Sequence, residues 1–479
     1  MSDDRWRSPL GTRYASPAMQ TLWGEAHRIA LWRRLWLALM EAEKELGLEI
    51  PDAAIAELRA HLDDADLAAA AKYERRFRHD VMAHVHALGD QAPAARPFLH
   101  LGATSAYVTD NADLVVMREG LRILLGRLIA VLEALQGFAR RWADLPCLAY
   151  THFQPAQLTT VGKRATLWMQ DLALDVEELT HRLGALRFRG CQGTTGTQAS
   201  FLELFGGDET KVRELERRVT RKLGFDEQYA VTGQTYPRKA DSVVLDALSG
   251  IAQSAAKMAV DLRLLQHEGE LLEPFESEQI GSSAMAYKRN PMRAERIGSL
   301  ARYVISLQAN GAHTAAAQWL ERTLDDSANR RLTLPEAFLA TDAMLVLLTN
   351  VAAGLEVREA VIRRHVDEQM PFMATERWLM AGVAAGGDRQ ALHEVVRRHS
   401  LAVADAVATG APNDLMERLA ADPAFARVAP ERLRAELDPR RYTGRAARQV
   451  EEFLGEFLAP LLERARPLAV AAGAAEVPV

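Results

Sequence analysis

The chain has 479 residues, 48% hydrophobic and 25% charged, enough for a large buried core and two or three domains. Its 58 basic and 64 acidic side chains leave a formal net charge of −6, which excludes the basic footprint of a general nucleic-acid binder. Two cysteines, Cys147 and Cys191, are too few for a disulfide framework and fit a reducing, cytoplasmic setting.

The opening MSDDRWRSPL carries acidic residues and no apolar run, so no secretory signal is expected there. Further on, Arg78-His79-Asp80 is followed by His84 and His86. The HExxH spacing of a zinc site is absent, and a helix would turn His84 off the face shared by His79 and His86, so no metal is expected. His84 and His86 read as surface or interfacial histidines. His79 is the functional candidate, because the neighbouring carboxylate can fix its tautomer. The small residues and hydroxyls of His100–Ser105 stand ahead of a long helix, a place suited to an anion. Thr109, Asp110 and Asn111 then supply capping side chains. Leu121, Leu124, Leu125, Leu128, Leu132 and Leu135 mark one face of a helix expected from Asp113 to Trp142, roughly 45 Å long.

His152 lies in THFQPAQLTT, read as the opening of a helix over Val161–Leu186. The Gly-rich stretch from Arg189 to Thr197 lacks the GK[ST] ending of a P-loop. Val244, Leu248, Ile251, Ala255, Met258, Leu262 and Leu265 alternate by four and three, a heptad seam. A polar loop, EQIGSSAMAYKRNPM from Glu278 to Met292, precedes a helix expected over Met292–Ala317. The block Arg322–Arg331 offers forked guanidinium groups and a serine, suited to phosphate or carboxylate. A further helix is expected over Pro335–Gly354. Its apolar stretch Ala343–Leu348 breaks at Thr349-Asn350, short of a membrane span. The tail from Val470 reads as frayed.

Strand signals are scarce, and apolar stripes this long must pack side by side. The expected fold is all-α: a long-helix bundle over 105–357, with an N-terminal helical domain over 1–104 and a C-terminal one over 358–479. There is no GxSxG elbow and no CxxC. The remaining Ser, His, Lys, Asn and Arg suit proton abstraction next to a carboxylate on a polyanionic substrate, without metal or nucleotide cofactor.

GSSAM-x-YKRNP resembles the signature loop of the fumarase/aspartase superfamily. With RYAS at Arg13–Ser16, RHDVMAHVH at Arg78–His86, HLGATS at His100–Ser105, THFQPAQLTTVGKR at Thr151–Arg164 and GTTGTQASF at Gly193–Phe201, the chain is similar to the adenylosuccinate lyase family. TGQTYPRK at Thr232–Lys239, ERTLDDSANRR at Glu321–Arg331, FMATE at Phe372–Glu376 and YTGRA at Tyr442–Ala446 extend that resemblance over almost the whole chain. It implies a homotetramer with active sites shared between subunits, no cofactor, and a small purine nucleotide as substrate, with no nucleic-acid or membrane partner. The implied reaction is β-elimination of fumarate from adenylosuccinate, and from the succinylaminoimidazole carboxamide ribotide.

By motif, the resemblance makes Ser282 the general base and His152 the general acid, with His79 placing that acid. Lys288 and Asn290 would hold a succinyl carboxylate, assisted by Thr104 and Ser105. Arg13, Tyr14, Arg322, Ser327 and Arg331 would grip phosphate and ribose, while Arg78, Asp80, Gln234 and Arg296 complete the pocket. Ala286 stands where loops of this family usually carry proline, which implies a more mobile lid. Argininosuccinate lyases, fumarases and aspartases need no phosphate clamp, so Arg13, Tyr14 and the Arg322–Arg331 block argue against them. Retention of both Ser282 and His152 argues against a non-catalytic scaffold.

Overall fold

A computed structural model describes residues 5–471, so the first four residues and the tail beyond Ala471 lie outside the described residues. The expectation of fraying falls mostly on that tail. Helices dominate the rest. The principal ones are α1 (Glu25–Glu45), α2 (Asp80–Gln91), α3 (Ser105–Arg141), α4 (Val161–Ala185), α5 (Lys239–His267), α6 (Met292–Ala317) and α7 (Asp326–Gly354). Beyond them α8 (Glu359–Ala384) and α9 (Arg389–Ala408) open the C-terminal region. Two small antiparallel pairs interrupt the helices: β1 (Pro146–Thr151) with β2 (Gln154–Thr160), and β3 (Leu271–Leu272) with β4 (Glu356–Val357).

The stripes read from the sequence are the bundle core. All seven seam residues of α5 and all six leucines of α3 are buried. Helices α5 and α6 approach closely at Gly311, where a Cβ would come within 2.8 Å of the Ser242 backbone. One continuous apolar core runs from Leu10 to Met370, and the C-terminal Val450–Ala465 packs back into it. A smaller core surrounds Trp378, from Ala374 to Leu433. By length and composition α5 and α7 could cross a membrane, contrary to the sequence estimate for α7, but most of each apolar window is buried inside the bundle. They are core helices.

Two helix starts differ from expectation. Helix α3 begins at Ser105, so Thr109, Asp110 and Asn111 are internal rather than capping. Asn111 instead uses its side chain to accept from the backbone N–H of Arg189 and Gly190, at 3.0 and 3.2 Å. Helix α7 begins at Asp326 and carries Pro335 inside. Asp326 and Arg330 are buried there in ion pairs, so tertiary electrostatics holds the helical turns that proline would otherwise end. His84 is also not at the surface: it is buried edge-on against Trp32.

Glu43 on α1 is fully buried, and neither carboxyl oxygen has a hydrogen-bond partner. Burial pushes its carboxyl from 4.5 up to about 9. Between those values the folded chain holds a proton that the unfolded chain has lost, so this group weakens folding progressively as pH rises. Glu43→Gln is therefore expected to raise the unfolding temperature clearly at pH 8 and little at pH 5. A thermal melt at each pH checks this, and an equal shift at both would contradict it.

Candidate active site

The start of α3, the start of α2 and the first turns of α7 converge on a cavity of about 640 Å³, a size that suits a nucleotide-like molecule. It is lined by Arg78, His79, Asp80, Ser105, Gln234, Arg322, Ser327 and Arg331 among others. Eight residues singled out from the sequence are thus brought together from four distant stretches. Thr104 is adjacent as the N-cap of α3, but its hydroxyl makes no capping bond.

The local backbone explains how these side chains are aimed. Arg78 ends the preceding helix in a left-handed conformation (φ 56°), uncommon for a side chain of its size and tolerated where surrounding contacts hold it. His79 caps α2 by accepting the Met82 N–H at Nδ1, 3.3 Å away, while Nε2 lies 3.2 Å from the Ser105 hydroxyl. That bond makes Nδ1 the unprotonated nitrogen and turns the Nε2 proton toward Ser105. That task was expected of Asp80, whose Oδ1 is 3.7 Å from the ring. Asp80 is instead engaged by the Val81 N–H at 2.8 Å and by Arg331 at 3.0 Å. Burial raises its carboxyl and these donors more than reverse that, leaving it below the usual range.

Beneath the cavity lies a buried ion network that the motifs did not announce as such. Arg238 pairs with Asp326 at 2.6 Å and with Asp110 at 3.1 and 3.2 Å. Arg330 pairs with Asp241 at 2.6 Å and Asp113 at 2.9 Å, and also donates to the Tyr236 hydroxyl. Burial pushes the Asp110 carboxyl up, and the Arg238, Arg330 and Arg189 guanidiniums bring it below its ordinary value. Two guanidiniums here face four carboxylates, so neither Arg238 nor Arg330 has positive charge to spare for a ligand. Facing the cavity, Arg78 makes no ion pair among the described residues, and Arg322 is paired only at 4.0 Å, with Asp326. Of the block Arg322–Arg331, Arg330 is therefore structural. A polar signal was present in the sequence, since Asp110 and Asp113 interrupt an otherwise apolar helical run.

The other expected site residues lie elsewhere. Arg13 and Tyr14 end a π-helical turn, Leu10–Tyr14, where the Arg296 guanidinium lies 5.6 Å from the Tyr14 ring centroid. His152 does not open a helix. It occupies the tip of the β1–β2 hairpin, where His152 and Phe153 both take positive φ (52° and 58°) and stand exposed. Ser282, Lys288 and Asn290 lie in the loop between β3 and α6 and line none of that cavity. There the Ser282 Oγ accepts from the N–H groups of Ala284 and Met285 at 3.3 and 3.1 Å. Asn290 donates to the Gly281 carbonyl at 2.6 Å, so in this arrangement its amide holds the loop together.

Long bundle helices thus carry a guanidinium-lined pocket at their ends, with the serine-bearing loop apart from it. A family profile described simply as lyase matches residues 19–306, more than half the chain. The solved structure of a fumarate lyase from Mesorhizobium sp. BNC1 shares the fold with a TM-score of 0.79 at 25% identity, over 92% of this chain and 98% of that one. A second profile, the adenylosuccinate lyase C-terminus, matches residues 371–453. Adenylosuccinate lyases of Saccharomyces cerevisiae and Schizosaccharomyces pombe are each 50% identical over 455 residues, covering 94% of this chain and 94% of their own. The chain belongs to the adenylosuccinate lyase family.

Proposed function

We infer that this enzyme eliminates fumarate from adenylosuccinate to leave AMP, and likewise from the succinylaminoimidazole carboxamide ribotide. The observation that carries this reading is the half-identity to adenylosuccinate lyases over nearly the whole chain, together with the cationic cavity ringed by Arg78, Arg322 and Arg331. In the proposed chemistry Ser282 takes the proton from the succinyl β-carbon. The C–H electron pair becomes the new double bond of fumarate, the C–N bond breaks, and His152 protonates the leaving nitrogen. A serine hydroxyl is a weak base. The two backbone N–H groups on Oγ, with Lys288 in the same loop, supply the positive field that an alkoxide needs. Lys288 would also meet a succinyl carboxylate. Arg322, Ser327 and Arg331, with Arg13 and Tyr14, would hold phosphate and ribose. The assay is addition of adenylosuccinate, followed by loss of its purine absorbance and release of fumarate. Turnover of argininosuccinate or malate in its place would overturn the reading.

We also propose a homotetramer with shared sites. Supporting it, the base-bearing loop, the His152 hairpin and the cavity occupy separate parts of one chain. The bundle helices also leave Leu167 and Leu174 of α4, Val260 and Leu264 of α5 and Ile305 of α6 exposed. A cytoplasmic setting is consistent with Cys147 and Cys191, both buried and unpaired. Sharing makes a definite prediction. Ser282→Ala and His152→Ala proteins, each strongly impaired alone, should regain fumarate release when mixed, dissociated and reassembled, because some sites then draw both groups from intact subunits. No recovery from mixed oligomers of native size would rule out sharing.

A further inference from the structure

The loop carrying Ser282 hangs from two stems, and both are fastened by one buried carboxylate. Helix α6 begins after Pro291, whose side chain cannot cap, so its first free N–H groups need an acceptor from elsewhere. Glu273, at the opposite end of the loop and 4% exposed, supplies it. Its Oε1 accepts from Arg293 N and its Oε2 from Ala294 N, each at 3.0 Å. Arg293 reaches back in turn, donating to the Pro274 carbonyl at 2.6 Å and to Glu276 at 2.5 Å. Gln266 of α5 ties the two stems once more, accepting from Glu273 N at 3.2 Å and donating to the Arg289 carbonyl at 3.0 Å.

Inside this clamp the loop is drawn together at its neck. Asn290 bonds the Gly281 carbonyl, and Gly281 packs so tightly on the Lys288 carbonyl oxygen that any Cβ there would overlap it. Residues Ser282–Tyr287 therefore form a short exposed tip beyond a closed neck, and the neck rests on the Glu273 clamp. A tip of this kind moves as a unit about its stems, and its reach is set where they are fixed.

We propose that Glu273 is a positioning residue for the reaction: by capping α6 across the loop, it sets the register in which Ser282 reaches the substrate. This rests on Ser282 acting as the base. Glu273→Gln keeps the shape but presents an amide N–H₂ to a backbone N–H, so one of the two capping bonds is lost. Misplacement of a reacting group by about 1 Å costs on the order of 100-fold. The Arg322–Ser327–Arg331 side of the cavity is untouched.

In the full-length protein, Glu273→Gln is expected to lower kcat by about 10–100-fold while KM for adenylosuccinate changes far less. Trypsin should cut faster at Lys288 and Arg289 in the loop. Glu273→Asp, charged but shorter, should fall between the two. If Glu273→Gln does not fold, Arg293→Lys tests the same clamp, since it keeps the cap but loses the guanidinium fork. Unchanged kcat would overturn the proposal. So would a loss of activity that tracks a lowered unfolding temperature with unaltered loop cleavage, which would return Glu273 to a purely structural role. Failure of the unsubstituted protein to release fumarate would count against the proposed reaction, whereas the cleavage rate would still judge the clamp.

Discussion

Ser282→Ala is expected to lower kcat for fumarate release by about 10²–10⁴-fold, the range of a lost general acid–base group, and His152→Ala to do the same. The two residues fail for different reasons. Ser282 is the one side chain whose oxygen sits on the paired N–H groups of Ala284 and Met285, and alanine removes the atom proposed to take the proton. His152 stands exposed on the β1–β2 turn, with no role in holding that turn beyond its own backbone. Its loss should leave the fold intact and remove the proposed proton donor to the leaving nitrogen. In both variants the cavity arginines persist, so substrate affinity, measured directly by calorimetry, should change far less than kcat. Near-normal turnover in Ser282→Ala would remove it as the base.

Arg238→Ala is expected to cost about 3–5 kcal/mol of stability, the penalty for breaking a buried ion pair by removing one partner. Arg238 is 3% exposed and joins Asp110 of α3 to Asp326 of α7. Without it Asp110 loses its hydrogen-bonded guanidinium, and Asp326 keeps only Arg322, 4.0 Å away. Denaturant unfolding checks the magnitude. The same substitution should impair binding, because Asp110 and Asp326 then add negative charge beneath a pocket that would hold an anionic substrate. Arg238→Lys restores the charge but not the fork, and should recover only part of the loss. A change in stability below about 1 kcal/mol would show that the network is not rigid enough to bear on either property.

The long helices were legible because their signal is local and repeated. A heptad seam on α5 and a leucine face on α3 each require burial regardless of partner. Helix starts were less legible, and the errors share a cause. Asp110 has the chemistry of a cap when read alone, yet it is an internal residue because Arg238, far away in the sequence, supplies its counter-charge. Pro335 reads as a first-turn residue, yet the helix already runs through Asp326 and Arg330. His152 reads as a helix opening because the hairpin that carries it is short and its first strand holds a single β-branched residue, Thr151.

By itself the sequence determined the all-α bundle and the family, and marked the residues that gather in the cavity, since periodicity and contiguous motifs survive without knowledge of neighbours. Only the tertiary structure decided which arginines are free to face a ligand and which are spent on buried carboxylates. It also moved His79 from a carboxylate-held tautomer to one held by a backbone N–H, and revealed Glu273 as the acceptor fastening the loop. These depend on pairings between residues distant in the chain, whose energies are set by burial and a few tenths of an ångström, and no local pattern encodes them.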